Sequence, residues 1–493
     1  MRKGVVFVKI MAVDVPVGVL VTNEFATYLN DALSKRSDDI LLDRLVNRHK
    51  VKLPGNKTYT LGLICILSII QTRWKEVKYR LADDSTTIEK IVSESVNYNV
   101  MLFSAKSNTY NMSLVIAEEC KRRNPNLKVI FGGPHSTSLP KEVIAENSID
   151  FVCIGEGEES IIELICAIEN NGNYSSIKGI AYKNEFGKVI ITEKRMLAEK
   201  LDDFPIPNFA LLEGDINDYH IYIETGRGCT HDCSFCANPM LWQRKVRKYT
   251  PERTYNLLKG LSEVLQKNTL VHIIDPAFGS VDCDYELCRL LEEKPLTLKF
   301  SCDICAIDMD IELIEHLVKA GFVMTCIGIE NSSESVLRTN KKPVTLNIFK
   351  QACKTIREHS ELLIKTYWII GLPGETEESA RQNRNTIIEM LKNDEFDICC
   401  EHIFIPYPGS KIYDDPDKYN YKIYHKDWSY YDARSFPLPG ENIEFSMESA
   451  YISYLDILRA ECEVYELDKY FNRENLQKQQ EVVGFREHKK RLV

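Results

Sequence analysis

No stretch of the chain is long and apolar enough to cross a bilayer: the most apolar run, Leu61 to Ile70, falls far short of the roughly 20 residues a membrane helix needs. The opening MRKGVVFVKIMAVDVPVGVLV is basic and then apolar, but Lys9, Asp14 and Pro16 interrupt it and no small-residue cleavage site follows, so a first strand is expected there and a secretory leader is not. There is no excess of positive charge. A formal net charge of -10 argues against a nucleic-acid partner, whose phosphates demand a basic face. No internal repeat or low-complexity segment occurs. The protein is therefore expected in the cytoplasm, with no membrane and no nucleic acid among its partners. Its 16 cysteines then sit in a reducing compartment, mostly as free core thiols, and any tight cluster of them should bind metal.

At 493 residues the chain should form two to four units at a prior of about 150 residues each. Apolar residues at 44% and charged residues at 27% suit an ordinary globular protein. The first part alternates candidate strands (Val5 to Ile10, Lys75 to Leu81, Val100 to Ser104, Lys128 to Phe131, Phe151 to Ile154) with helical patterns such as Leu61 to Trp74 and Asn111 to Arg123. Strands spaced by helices predict parallel βαβ units and a doubly wound, Rossmann-like sheet over 1–195. Residues 16–57 exceed a normal connection and read as an insertion with its own helix near Asn23 to Ser34.

Leu201-Asp202-Asp203-Phe204-Pro205-Ile206-Pro207-Asn208 cannot continue a helix or a central strand, which places a linker at 196–218. Beyond it, strands are expected at His220 to Thr225, Leu270 to Ile274, Leu298 to Cys302, Met324 to Ile329, Ile364 to Ile370 and Ile398 to Ile405. Helices such as Pro251 to Gln266, Ile311 to Ala320 and Ile348 to His359 separate them. Six such units predict a partial (β/α)6 barrel over 219–410, with reactive groups at the C-terminal strand ends. Residues 411–493 read as a mostly helical extension, with helical spacing over Met447 to Tyr470.

The stretch Gly226-Arg227-Gly228-Cys229-Thr230-His231-Asp232-Cys233-Ser234-Phe235-Cys236 directly follows the first strand of that barrel. Gly226 and Gly228 let the backbone turn sharply and approach a bound group. Structural zinc takes four protein ligands, whereas this loop offers three thiols and an awkwardly placed His231. Three thiolates with an open fourth position suit an iron–sulfur cluster.

Here the sequence resembles the radical S-adenosylmethionine (SAM) enzymes, whose signature is Cys-x3-Cys-x2-Cys with an aromatic residue, here Phe235, before the last cysteine. The resemblance implies that Cys229, Cys233 and Cys236 hold a 4Fe–4S cluster whose open iron chelates the methionine end of SAM, and that an electron releases a 5'-deoxyadenosyl radical. It further implies that Asp275 in Asp275-Pro276-Ala277-Phe278 faces the methionine amine, and that Glu330 and Ser332 in Gly328-Ile329-Glu330-Asn331-Ser332 face the ribose. Gly371 belongs to the similar fifth-strand motif Ile369 to Thr376, and Ile405 to Ser410 resembles the sixth-strand end. Relatives commonly carry arginine where Cys305 stands. Cys302 and Cys305 form a Cys-x2-Cys pair, but alternation on a buried strand explains it better than a second metal site.

A second resemblance is to the cobalamin-binding domain of one large class of these enzymes. Phe103 to Thr109 (with Ser104 and Asn108), Gly132-Gly133-Pro134-His135-Ser136-Thr137 and Gly155-Glu156-Gly157-Glu158-Glu159 each follow a predicted strand and match the family in order. Glycines at the carboxyl ends of parallel strands permit close approach of a large planar ligand. Ser104, Asn108, Gly132, Gly133, His135, Thr137, Gly155, Glu156 and Gly157 are thereby expected at cobalamin. No Asp-x-His-x-x-Gly stretch supplies a lower axial histidine, and His135 is expected to be a hydrogen-bonding loop residue. The function expected is cobalamin-dependent C-methylation of an unactivated carbon in a small molecule or peptide, with a reducing electron donor such as flavodoxin or ferredoxin. The alternatives are radical cyclisation or rearrangement without methyl transfer, and a zinc- or cobalamin-binding regulatory module.

Overall fold

The computed structural model describes residues 8–16, 52, 57–83, 85–170, 172–423, 428 and 431. The helices expected over Asn23 to Ser34 and Met447 to Tyr470 lie outside these residues.

The first sheet contains seven strands: Ile10–Asp14 (β1), Val77–Leu81 (β2), Val100–Ser104 (β3), Lys128–Gly132 (β4), Phe151–Cys153 (β5), Ile180–Lys183 (β6) and Val189–Ile191 (β7). Their order is β2-β1-β3-β4-β5-β6-β7. The first five are parallel and the last two pair antiparallel. The strand order reverses between β1 and β3, which marks the ligand-binding switch point of a doubly wound sheet. The first strand begins at Ile10, later than the Val5 to Ile10 run, and all five of its residues are buried. Its last residue fixes this register: buried Asp14 accepts hydrogen bonds from the Thr60 hydroxyl at 2.9 Å and from Tyr79 at 3.0 Å, tying β1 to the start of helix Leu61–Gln71 and to β2. The β6–β7 hairpin was not expected from the sequence. It turns on Asn184, whose side chain accepts the Phe186 and Lys188 amides, and on Gly187 at φ +72°.

The second sheet runs β8-β11-β12-β13-β14-β15, all parallel: Ile221–Ile223 (β8), Leu270–Phe278 (β11), Lys299–Ile304 (β12), Phe322–Glu330 (β13), Leu363–Ile370 (β14) and Ile398–Ile403 (β15). A two-stranded ribbon of Gly226–Arg227 (β9) and Arg247–Lys248 (β10) lies between β8 and β11 in sequence. Thr250, Asp310, Thr345 and Thr376 each accept an amide hydrogen bond at the start of an outer helix, which is the capping that defines where these helices begin. Alternation along β14 buries Thr366, Trp368 and Ile370 outward beneath the helices and leaves Lys365, Tyr367 and Ile369 half-buried on the inner face. Trp368 is fully buried and meets Phe349 edge-on at 5.6 Å.

The two sheets share one apolar core, which runs from Ile10 and Ile64 of the first to Leu258 and Ile273 of the second. Residues 52 and 57, from the edge of the expected insertion, bridge in parallel to Thr269 and Tyr219 of the barrel. The Tyr59 hydroxyl donates to the Tyr222 carbonyl at 2.6 Å and accepts the Tyr222 amide at 2.8 Å, so the first region supplies hydrogen bonds to the edge strand β8.

Trp368→Ala should cost about 3–5 kcal/mol by removing a fully buried aromatic side chain. Denaturant unfolding of the two proteins checks this, and a loss under about 1 kcal/mol would show that the inner and outer faces of β14 are misassigned.

Candidate active site

The cysteine loop hangs between β9 and β10. Gly228 has φ +99°, and a Cβ there would lie 1.8 Å from the Lys245 carbonyl oxygen; one on Gly226 would lie 2.3 Å from Lys248 Cδ. Both glycines are thus required by the close approach of the ribbon's second arm, rather than by a bound group. The loop is anchored at several points. The Ser234 amide donates to the Asn340 carbonyl at 3.0 Å, and the Ile412 amide donates to the Ser234 carbonyl at 3.3 Å. Asn340 itself donates through Nδ2 to Val336 and Pro373. Asp232 is held by Lys411 and Lys341. Phe235 packs against the main core.

Burial pushes the Cys233 thiol up to about 12, and Cys236 is also raised by burial although its sulfur accepts the Asn238 amide at 3.4 Å. Metal binding must therefore release protons from this loop. Cys302 is fully buried, as alternation predicts. Cys305 is half-buried and faces Cys229, and its sulfur lies within 4.8 Å of potential ligand atoms on His231 and Asp308.

At the strand ends the sequence-identified residues take distinct positions. Asp275 is buried and accepts hydrogen bonds from the Thr225 amide at 2.8 Å, from the Thr225 hydroxyl and from Lys248 at 2.9 Å. Lys248 in turn pairs with Asp284 at 2.7 Å. Glu330 ends β13 at φ +72° and pairs with Lys342 at 2.9 Å. Burial works against the charge of Lys342, but Glu330 and the facing thiols of Cys233 and Cys305 keep its pKa above the ordinary value. Neighbouring Asn331 donates to Glu375, whose other oxygen accepts the Gly371 amide; burial raises this carboxyl to about 7 despite both bonds. Ser332 is buried, and its hydroxyl has no hydrogen-bond partner.

The end of the first sheet is similarly divided. Gly133, at φ +88°, presses against the Ala105 backbone, where a Cβ would lie 2.8 Å from the carbonyl oxygen. Gly132 and Gly157 make closer or looser side-chain approaches to Cys153 and Ile66, at 3.8 and 3.2 Å from the Cβ each would carry. His135 is buried, with its Nδ1 3.0 Å from Ser107 Oγ and its ring between Tyr110 at 4.3 Å and Trp428 at 4.6 Å. Burial lowers its pKa to about 4, so the ring is neutral. The Thr137 hydroxyl accepts the Gly155 amide at 3.0 Å. Gly155, at φ +81°, has open space where a Cβ would stand. Ser104 and Asn108 are half-buried, at the end of β3 and in the turn that follows.

Glu156 does not face this opening. It accepts hydrogen bonds from Arg227 at 3.0 Å and from Arg247 at 2.8 and 2.9 Å, and Arg227 also pairs with Glu158 at 2.7 Å and Glu224 at 2.8 Å. Trp242 lies beneath both guanidinium groups at 5.9 and 5.8 Å. Desolvation would raise the Glu156 carboxyl, but the two arginines win and hold it below the ordinary range. This cluster joins the end of β5 to the ribbon that carries the cysteines. Asn340, Lys342, Arg227, Arg247 and Lys248 were not singled out from the sequence. Only Arg227 carried a signal, since it stands inside the Gly-x-Gly that precedes the cysteines.

The donor set fits the groups inferred from sequence: three thiols on one short loop suit an iron–sulfur cluster, Ser332 offers an unpartnered hydroxyl at the neighbouring strand end, and Gly155 opens the end of the first sheet. Residues 223–386 match the model of the Radical SAM superfamily, and residues 51–165 match that of the B12 binding domain. The chain therefore joins a B12-binding domain to a Radical SAM domain, the composition of the cobalamin-dependent radical SAM enzymes, and its cofactors are a 4Fe–4S cluster, SAM and cobalamin.

Among its relatives is an uncharacterized methyltransferase of Pyrococcus horikoshii, 25% identical over 74% of this chain and 79% of that protein. The anaerobic magnesium-protoporphyrin IX monomethyl ester cyclase of Synechocystis is 24% identical over 64% and 65%, and the cobalamin-dependent radical SAM methyltransferase TokK of Streptomyces tokunonensis 22% over 61% and 46%. The chain thus spans about two thirds of the cyclase and under half of TokK. Two solved structures share the fold: TsrM from Kitasatospora setae with cobalamin and a 4Fe–4S cluster (TM-score 0.59, 15% identity, 71% of this chain and 70% of that one), and OxsB with aqua-cobalamin (TM-score 0.64, 14%, 91% and 66%). No helix among the described residues is long and apolar enough to cross a membrane.

Replacing Cys229, Cys233 or Cys236 by alanine should each abolish iron retention after anaerobic reconstitution while cobalamin uptake persists, as metal analysis and the visible spectrum will show. Glu156→Gln removes the carboxylate that pairs with Arg247, leaving that guanidinium without an ion-pair partner among the described residues, so it should cost about 3–5 kcal/mol in denaturant unfolding. An unchanged midpoint would refute the role given to this cluster.

Proposed function

We propose that the protein is a C-methyltransferase acting on an unactivated carbon of a small molecule or peptide. The observation that carries this reading is the buried cluster of Glu156 with Arg227 and Arg247, which sets the open end of β5 and the cysteine loop on one interface. When bound, the cluster with SAM supplies a hydrogen-abstracting radical and the corrinoid supplies a methyl group, so a carbon too inert for polar methylation comes within reach.

The chain's own residues hold and orient. Cys229, Cys233 and Cys236 would bind three irons. Glu330, fixed by Lys342, and the free hydroxyl of Ser332 would receive the sugar of SAM, while the Gly371 turn is kept in shape by Glu375. Ser104, Asn108 and Gly155 would meet the corrinoid. His135 would act by packing and hydrogen bonding rather than as a metal ligand, because its ring is enclosed and its Nδ1 is engaged by Ser107. A shared interface replaces encounters in solution by positioned contacts, an advantage of up to about 7–11 kcal/mol when geometry is favourable. Relatives named as methyltransferases favour this reading over ring closure, the activity in the cyclase's name.

The test supplies the anaerobic, reconstituted full chain with SAM deuterated in its methyl group, hydroxocobalamin and a reductant. Label should appear in the corrinoid, with S-adenosylhomocysteine formed in equal amount. Formation of 5'-deoxyadenosine with unlabelled corrinoid and no S-adenosylhomocysteine would favour cyclisation or rearrangement and overturn the proposal.

A further inference from the structure

The barrel is open on one side, since β8 and β15 share no ladder. Along its strands every second residue is buried beneath the outer helices, whereas Tyr222, His272, Asp303, Lys365, Tyr367 and Cys400 stay half-buried. Strand register places them on one inner layer: Tyr222 lies beside His272, Asp303 beside Cys326, Cys326 beside Lys365, and Tyr367 beside Cys400. Met324, Leu363 and Ile398 form an apolar cluster on the same inner face. The residues assigned to the cluster and to SAM lie at the strand ends, so this layer is unused by them.

Two opposite charges of the layer, Lys365 and Asp303, face each other without a direct ion pair. Lys365 makes no ion pair among the described residues; it faces the thiols of Cys400 and Cys326, the Asp303 carboxylate and, at 5.4 Å, the ring of Tyr367. Asp303 has one oxygen 3.6 Å from His272 Nε2, while its other oxygen is buried without a hydrogen-bond partner. His272 is held by the contact of its Nδ1 with Ser301 Oγ at 2.8 Å. Charged groups withdrawn from water are stable only when paired and hydrogen-bonded, and a ligand bearing both charges between these two residues would give each the direct partner it lacks.

We infer that this inner layer receives the head group of a free amino acid, with its carboxylate on Lys365 and its ammonium on Asp303. The two residues stand two strands apart, roughly 10 Å between Cα atoms, a gap that a zwitterion flanked by two ion pairs can bridge. Such a head group adds no net charge to a layer that contains one fixed cation and one fixed anion. A divalent metal is the competing occupant, because ligand atoms of His272, Asp303 and Cys326 lie within 4.8 Å of one another. The ammonium of Lys365 beside Cys326 and Asp303 disfavours it by like-charge repulsion.

The inference rests on the reading of the barrel as the seat of catalysis, but its test is independent of methyl transfer. Anaerobic full-chain protein loaded with cluster, cobalamin and SAM is titrated calorimetrically with each standard L-amino acid, and every binder is compared with its amine-free acid and its carboxylate-free amine. At least one amino acid should bind, and loss of either group should weaken it about tenfold or more. Lys365→Met should abolish the preference for the carboxylate and Lys365→Arg retain it; Asp303→Asn should abolish the preference for the ammonium. Iron and cobalamin contents equal to wild type report that the variants fold. The proposal is overturned if no amino acid binds, if either group is dispensable, or if one zinc or iron beyond the cluster is present in the isolated protein and lost in Cys326→Ser. Labelling of the corrinoid needs no amino acid, so either proposal can fail while the other stands.

Discussion

Everything at the site depends on a buried exchange of charge between the two sheets. Arg227 alone contacts Glu156, Glu158 and Glu224, and Arg247 returns to Glu156 from the other arm of the ribbon. Two cations face three carboxylates, so one acid is in surplus. The surplus falls on Glu224, which burial raises above the ordinary range even though Arg227 and Tyr249 bind it, whereas Glu156 with two arginines is lowered. Buried ion pairs contribute little to net stability, because desolvation offsets attraction, but they are costly to break. Their effect here is directional: an apolar contact would tolerate sliding, and a guanidinium shared by carboxylates from two sheets does not. The cysteine loop grows from Arg227, so its placement against β5 follows from this cluster.

The same constraint explains why the glycines of the site were legible as necessary but not for the right reason. Gly226, Gly228 and Gly133 suggested close approach of a ligand, and the structure shows close approach of backbone instead, to Lys245, Arg247 and Ala105. A sequence reveals that a Cβ is forbidden and does not reveal which neighbour forbids it. Gly155 differs: it needs no room for a neighbour and lies open, with only its positive φ demanding glycine. Glu156, next to it, read as a cofactor contact by position and is spent on arginines that are 71 and 91 residues away. No local pattern encodes such a pairing.

The parallel strands were legible because most form a short apolar run between amphipathic helices; Val100–Ser104 and Ile311–Ala320 fall where periodicity places them. The β6–β7 hairpin was missed because its strands have four and three residues and carry no run long enough to stand out, although the Asn184 to Gly187 turn was a readable signal. The three cysteines were legible from spacing. Lys342 was not, because a lysine three residues beyond a helix is ordinarily a solvated one, and only the fold turns it inward between Glu330 and Cys233.

Lys342 also clarifies the backbone at Glu330. A non-glycine residue with φ near +72° is strained and persists only where its surroundings fix it on several sides. Here the carboxylate is drawn to Lys342 at 2.9 Å, the absent side chain of Gly328 leaves the room that Glu330 Oε1 occupies, and the next residue, Asn331, is tied to Glu375. The lysine is itself placed by Asn340 and Lys341, which grip Ser234 and Asp232 of the cysteine loop. Strain at the fourth barrel strand and the position of the thiols are therefore two ends of one short connection, Asn340 to Lys342. A loop bearing three soft ligands is made rigid from both sides, by arginines toward the first sheet and by this segment toward the barrel, which leaves the side facing the strand ends as the direction from which a ligand can approach.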